Sequence, residues 1–164
     1  MNARVVCFGE VLLRLGAPGR ELLLQSPQFY VQVGGAEANV SVSLAKFGQM
    51  AAMVSTVADN ALGLSAVAEL RRHGVDVQGA ALAPGRMGLY FLCQGAMQRP
   101  SQVLYDRAGS AFALADSGSY DWPRLLAGAQ WLHLSGVTPA LGAHCAQATL
   151  DAARCARGLG IRIA

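Results

Sequence analysis

At 164 residues, 53% hydrophobic and with a mean hydropathy of +0.33, the chain is of one-domain size and can bury a real core, which excludes a disordered or solvated tail. Its apolar runs are broken by glycine or charge short of the roughly 18 residues of a membrane span, and the N-terminus reaches Glu10 before any signal-length apolar region, so it reads as a soluble, cytoplasmic chain. The net charge of +3 comes from scattered arginines with no run longer than Arg71-Arg72, which argues against a nucleic-acid partner and leaves a small anionic ligand compatible.

In chain order, "RVVCFGE" (Arg4 to Glu10) is a β-branched run ended by glycine, a buried first strand. "LLRLGAPG" and "QFYVQVGG" surround Pro18, Gly19 and Pro27 and suit strands outside the main sheet. A helix from about Ala36 to Phe47 carries Val40, Leu44 and Phe47 as one core-facing stripe and ends at Gly48. "MAAMVSTVA" is the next strand, and a helix from about Ala61 to His73 follows, opened by Asp59-Asn60 and closed by Gly74. Strand, helix, strand, helix implies parallel strands with crossovers. "GLYFLCQG" and "QVLYDRAG" then flank the turn-rich "AMQRPS" and read as an antiparallel hairpin. The earlier rhythm resumes with a short helix in "DWPRLLAGA", a strand in "QWLHLSG", a helix from about Leu141 to Arg157, and "GIRIA" as the opening of a further strand. Because a doubly wound sheet carries on beyond such a strand, a C-terminal half is expected to be missing.

Several residues could carry chemistry. "GGAEAN" puts two glycines before a helix N-terminus, whose free N–H groups and partial positive charge suit a polar or anionic ligand, and Asn39 adds an amide that both donates and accepts. The alternative is a tight turn in which Asn39 satisfies local backbone. Neither GxGxxG nor GxxxxGK[ST] occurs, which disfavours a nicotinamide oxidoreductase. In the hairpin, alternation puts Val103, Tyr105 and Arg107 on one face and Leu104 and Asp106 on the other, while Tyr90, Leu92 and Gln94 share a face on the neighbouring strand. Arginine suits bidentate carboxylate recognition; the alternative is a half-exposed ribbon with solvated polar groups.

His133 reads as a core histidine, His73 and His144 as helix-surface residues. Cys7, Cys93, Cys145 and Cys155 read as buried reduced thiols, since none has metal-ligand spacing. Asp59, Asp76 and Asp106 form no legible carboxylate pair.

Taken together, "VVCFGEVLLRL", "VGGAEANVSVSLAKFG", "TVADNALGLSAVAELRRHGVDV", "GLYF", "LYDRAGSA" and "WLHLSGVTPAL" resemble, in the right order, the N-terminal half of the ribokinase-like (PfkB) carbohydrate kinases, and within them the 2-keto-3-deoxygluconate kinases. The resemblance covers nearly the whole chain; the substrate subgroup rests on "GGAEAN" and "LYDRAGSA". It implies a doubly wound α/β fold, mostly parallel, with helices on both faces and a small β-lid from strands at about 12–15, 29–33, 88–94 and 102–107. It further implies Gly34, Gly35 and Asn39 at the acceptor sugar, and Tyr90, Tyr105 and Arg107 in the substrate wall with Arg107 toward a sugar-acid carboxylate. The backbone around Val137 would approach the ligand too.

The implied reaction is ATP-dependent, Mg²⁺-assisted phosphorylation of 2-keto-3-deoxygluconate at its 6-hydroxyl, with a homo-oligomer formed through the lid. Arg14 stands where ribose-binding members carry Asp, which counts against ribose. The catalytic Asp and the ATP-binding segments are expected beyond Ala164, so the chain alone is expected to bind a sugar acid weakly and turn nothing over. The rivals are a family kinase acting on fructose or a nucleoside, and a non-catalytic sugar-binding module.

Overall fold

The computed structural model describes residues 3–164. Strands β1 (Arg4–Phe8), β4 (Met50–Ala58), β5 (Asp76–Ala83), β8 (Trp131–His133) and β9 (Arg162–Ile163) form a sheet of order β5-β4-β1-β8-β9, with every pair parallel. Residues of β1 alternate between two cores. Val5 and Cys7 join one cluster with Met53 and Val57, while Val6 and Phe8 join the other with Val54 and Leu132. A parallel strand covered on both faces has no solvent side, which is why "VVCF" is apolar without a break.

Helices α1 (Ala36–Lys46) and α2 (Ala61–Arg72) pack against the first core. The short α3 (Trp122–Leu125) and the long α4 (Ala143–Gly158) pack against the second, α4 through the small stripe Cys145, Ala148, Ala152 and Ala156. In that second core the rings of Phe112, Tyr120 and Trp122 surround Phe8 at centroid separations of 5.6, 5.1 and 4.9 Å. The doubly wound class expected from the sequence is therefore the one found.

The local signals act where they were read. Asn60 caps α2, its side chain accepting from the N–H groups of Leu62 and Gly63, and Gly48 and Gly74 close α1 and α2 with φ of 76° and 86°. Three expectations need correction. The stripe Val40, Leu44, Phe47 faces the core only in part: α1 turns Glu37, Ala38 and Ser41 fully inward, Val40 and Leu44 pack half-buried against the first core, and Phe47 is 81% exposed. Small residues let the helix lie close on the sheet, so its larger side chains are displaced to the flank, where Val40 and Leu44 border an open apolar groove with Trp131 and His133. His133 is accordingly half-buried rather than a core residue, and Cys155 is only partly buried. The strand β5 went unread, because "DVQGAALA" has little β-branched character and a glycine at its centre. That glycine permits close packing: a Cβ on Gly79 would lie 2.9 Å from Val54 Cγ2 and 3.3 Å from Leu125 Cδ2.

A second sheet, of order β3-β2-β6-β7, is built from β2 (Leu12–Gly16), β3 (Tyr30–Gly34), β6 (Gly88–Cys93) and β7 (Gln102–Asp106). Strands β6 and β7 pair antiparallel, whereas β2 and β6 pair parallel. The register lines up Gln32, Arg14, Tyr90 and Tyr105 in one row across all four strands.

Candidate functional site

The glycine pair sits where the small sheet meets α1. Gly34 ends β3, and Gly35 is the N-cap of α1 with φ 136° and no side-chain cap, so the helix tip presents bare backbone. The two glycines serve different needs. A Cβ on Gly35 would lie 2.3 Å from the Glu10 backbone oxygen, so this position lets two chain segments cross. The nearest atoms to a Cβ on Gly34 would be the Tyr90 hydroxyl, at 3.3 Å, the edge of the same ring, and Asn39 Oδ1, at 4.0 Å. Gly34 therefore opens onto a space that Tyr90 and Asn39 share.

That space is a cleft of about 670 Å³, bordered by Arg14, Gln32, Gly34, Asn39 and Tyr90 and, from α2, by Ser65, Glu69, Arg72 and His73. Among the described residues the Asn39 side chain has no hydrogen-bond partner, so it does not serve the local turn. Arg14 likewise has no carboxylate within 4 Å among the described residues. On the α2 wall, Glu69 accepts from Arg72 Nη2 at 2.7 Å and lies 3.1 Å from His73 Nε2. The hydrogen bond from Arg72 is the chief reason its carboxyl is held below the usual range. His73, expected on the helix surface, is half-buried and borders this cleft.

Tyr105 stands directly opposite Tyr90, ring centroids 5.8 Å apart, and so extends the same wall. Arg107 follows β7 and turns inward. Its Cζ lies 5.7 Å from the Tyr105 ring centroid, and Nη2 and Nε reach Glu10 Oε2 at 2.7 and 2.8 Å. Gly34, Asn39 and Tyr90 thus meet in one cleft, Tyr105 joins them through Tyr90, and Arg107 lies behind Tyr105 on a carboxylate. Gly35 shapes the turn without bordering the cleft. Val137 lies outside it, with its N–H donating to Ser135 Oγ at 3.2 Å.

Two buried carboxylates were missed by reading the residues alone. Glu10, 1% exposed, receives Arg107 and also Ser110 Oγ at 2.5 Å. Glu37, equally buried, receives the hydroxyls of Ser135 and, at 3.2 Å, Thr138, and so fastens the first turn of α1 to the loop after β8. The available signal was a carboxylate inside an otherwise apolar stretch, since a buried charge demands a partner. Beside Glu37, Cys7 has its thiol pushed up to about 12, by burial first and by that carboxylate second. It is an inert core group.

A family profile described as pfkB family carbohydrate kinase matches residues 2–159. The chain belongs to that family. A solved structure of 2-dehydro-3-deoxygluconokinase from Thermotoga maritima is 42% identical and superposes with a TM-score of 0.96, over 99% of this chain and 50% of that one. A 2-dehydro-3-deoxygalactonokinase of Haloferax volcanii is 36% identical over 143 residues, 86% of this chain and 44% of the relative. Fructokinase-1 of Oryza sativa subsp. japonica is 37% identical over 90 residues, 54% of this chain and 28% of the relative. This pfkB-family chain has the ribokinase-like fold and spans about half the length of the relatives it matches.

Proposed function

We propose that the protein containing this pfkB-family chain phosphorylates 2-keto-3-deoxygluconate at its 6-hydroxyl with ATP as donor, and that these 164 residues carry the acceptor-sugar half. One observation carries the reading. Gly34, Asn39 and Tyr90 border a polar cleft in which the Asn39 amide is unpartnered, with Arg14 on its wall and Arg107 behind Tyr105. A hydroxyl-rich ligand would satisfy the free amide and the helix tip, and an acidic one would answer the arginines. In this reading Gly34 and Asn39 stand at the sugar hydroxyls, and Gly35 shapes the helix tip behind them. Tyr90 and Tyr105 form the wall with Arg107 behind them, and the small sheet acts as a lid that excludes water.

Among the described residues no group of three or more His, Cys, Asp or Glu side chains is placed to hold a metal ion. No helix of the described residues is long and apolar enough to cross a membrane.

The match to a fructokinase favours one alternative, a neutral ketose as acceptor. A substrate panel on the full-length gene product decides between them. The proposal expects ATP-dependent phosphorylation of 2-keto-3-deoxygluconate at a kcat/KM at least about tenfold above that for fructose, a difference of about 1.4 kcal/mol. The 2-keto-3-deoxygalactonate epimer belongs in the same panel, given the Haloferax volcanii relative. Preferred turnover of fructose or a nucleoside overturns the proposal, and turnover of no sugar leaves the binding-module reading standing.

A further inference from the structure

The geometry points to Glu10 as the positioning residue for Arg107, one that holds the guanidinium in place for a sugar-acid carboxylate before the ligand arrives. The inference rests on the reading of the cleft as a sugar-acid site and adds a residue to it.

Glu10 lies just past the end of β1, 1% exposed, and a carboxylate removed from water this completely must have its charge answered. Both of its oxygens are used. Oε2 takes Nη2 and Nε of Arg107, and Oε1 takes the Ser110 hydroxyl at 2.5 Å. Ser110 Oγ itself accepts from the Ala113 N–H at 3.1 Å, which leaves its proton free for Glu10. The surrounding backbone is cut to fit this residue. A Cβ on Gly88, the first residue of β6, would lie 2.3 Å from Glu10 Oε1, and one on Gly35 would lie 2.3 Å from the Glu10 carbonyl oxygen. One residue therefore touches the helix-tip glycine, the start of one lid strand and the arginine that follows another.

Arg107 arrives at this carboxylate on a fixed turn. Arg86 Nη2 donates to the Asp106 carbonyl at 2.6 Å, and its Nη1 donates to Asp106 Oδ1 at 3.0 Å and to the Ala108 carbonyl at 3.1 Å. The turn from Asp106 to Ser110 is thus pinned by Arg86 on one side and Glu10 on the other. A guanidinium has five N–H donors in a rigid fork, and Glu10 occupies its Nε–Nη2 edge, so the Nη1 end is left. Without Glu10 the long side chain would have to be ordered by the ligand itself, at a cost in affinity.

The test measures binding to the full-length gene product by calorimetry. The probes are 2-keto-3-deoxygluconate and its methyl ester, which keeps every hydroxyl and lacks the charge. Arg107→Ala is expected to erase the preference for the acid. Glu10→Gln, close in shape but uncharged, is expected to weaken acid binding roughly 10-fold or more while ester binding stays within about twofold. The double variant is expected to be no weaker than Arg107→Ala alone, and Glu10→Asp to recover part of the loss. Should Glu10→Gln fail to fold, Ser110→Ala, which leaves the ion pair intact, is expected to cost acid binding about threefold and ester binding nothing. Equal loss for acid and ester in Glu10→Gln, or wild-type acid binding despite a lowered melting point, overturns the role of Glu10. An Arg107→Ala protein that still prefers the acid instead overturns the sugar-acid reading beneath it, so the two failures are distinguishable.

Discussion

The Tyr90 hydroxyl stands 3.3 Å from where a side chain on Gly34 would begin, whereas at Gly35 the same added carbon would run 2.3 Å from the backbone oxygen of Glu10. Neighbouring glycines therefore predict opposite phenotypes. Gly34→Ala meets the far end of a movable ring, so its folding stability stays within about 1 kcal/mol of wild type while sugar binding falls, because the new methyl intrudes on the cleft. Gly35→Ala must displace backbone and hold alanine at φ 136°, and thermal unfolding should show a loss of about 3 kcal/mol or more.

Asn39 is exposed in the first turn of α1 and its amide has no partner among the described residues, so it contributes little to stability. Asn39→Ala is expected to leave the folding stability unchanged or raised by up to about 0.7 kcal/mol, as alanine favours the helix. It should nonetheless weaken sugar binding about 10-fold. Calorimetry and thermal denaturation on the same sample check both halves.

Glu37 fastens two segments through Ser135 and Thr138, with Val137 hung from Ser135. Glu37→Ala leaves both hydroxyls without their acceptor and opens a gap beneath Gly9, whose added Cβ would overlap the Glu37 side chain at 2.1 Å. Destabilisation of roughly 2 to 4 kcal/mol is expected. Hydrogen exchange should quicken first in residues 134–138, ahead of the sheet.

The Cys7 thiol titrates near 12 in the folded chain against an ordinary 9.0, so above pH 9 the unfolded chain gives up a proton that the folded chain keeps. Stability therefore falls as pH rises from 9 toward 12, by an amount of order a few kcal/mol. Burial chiefly pushes Tyr120 up to about 12 as well, and it adds to the same fall above its ordinary 10.0. Melting curves between pH 8 and 11 should show the decline, and Cys7→Ala should reduce it while leaving the shares of Tyr120 and of Cys145, whose thiol burial chiefly pushes up to about 11.

Strand β7 is the exposed edge of the small sheet, with Val103, Leu104 and Tyr105 at 47%, 60% and 61% exposure. An apolar, unpaired edge of this kind invites a second copy. If the lid pairs between copies, Leu104→Lys should shift the sedimentation of the full-length protein from dimer to monomer without lowering the folding stability of the subunit by more than about 0.5 kcal/mol. A wild-type protein that sediments as a monomer, or a variant that stays dimeric, argues against this edge as the interface.

The parallel core strands, the caps at Asn60, Gly48 and Gly74, and the small strands apart from the main sheet were legible because each rests on neighbours in sequence. An apolar run, a donor two residues on or a left-handed turn declares itself locally. The motif order from "FGE" to "HLSG" likewise carried the family resemblance. Strand β5 was illegible because it packs through Val77 and small residues, with Gly79 admitting Val54 and Leu125, and such a run shows little β-branched or alternating pattern. The α1 stripe misled because burial on a sheet was decided by closeness of approach, which favours Ala38 and Ser41 over Phe47.

By itself, then, the sequence determined the parallel α/β rhythm, the glycine-tipped helix and the polar residues that are candidates for a ligand site. Only the tertiary structure decided which of them meet. The parallel pairing of β2 with β6 and the register of β6 with β7 align Arg14, Tyr90 and Tyr105, and the turn after β7 brings Arg107 to Glu10 across 97 residues. No local period encodes such pairings: strand register is selected by burying one face of a whole sheet, and a buried carboxylate is completed by whichever cation the fold delivers to it.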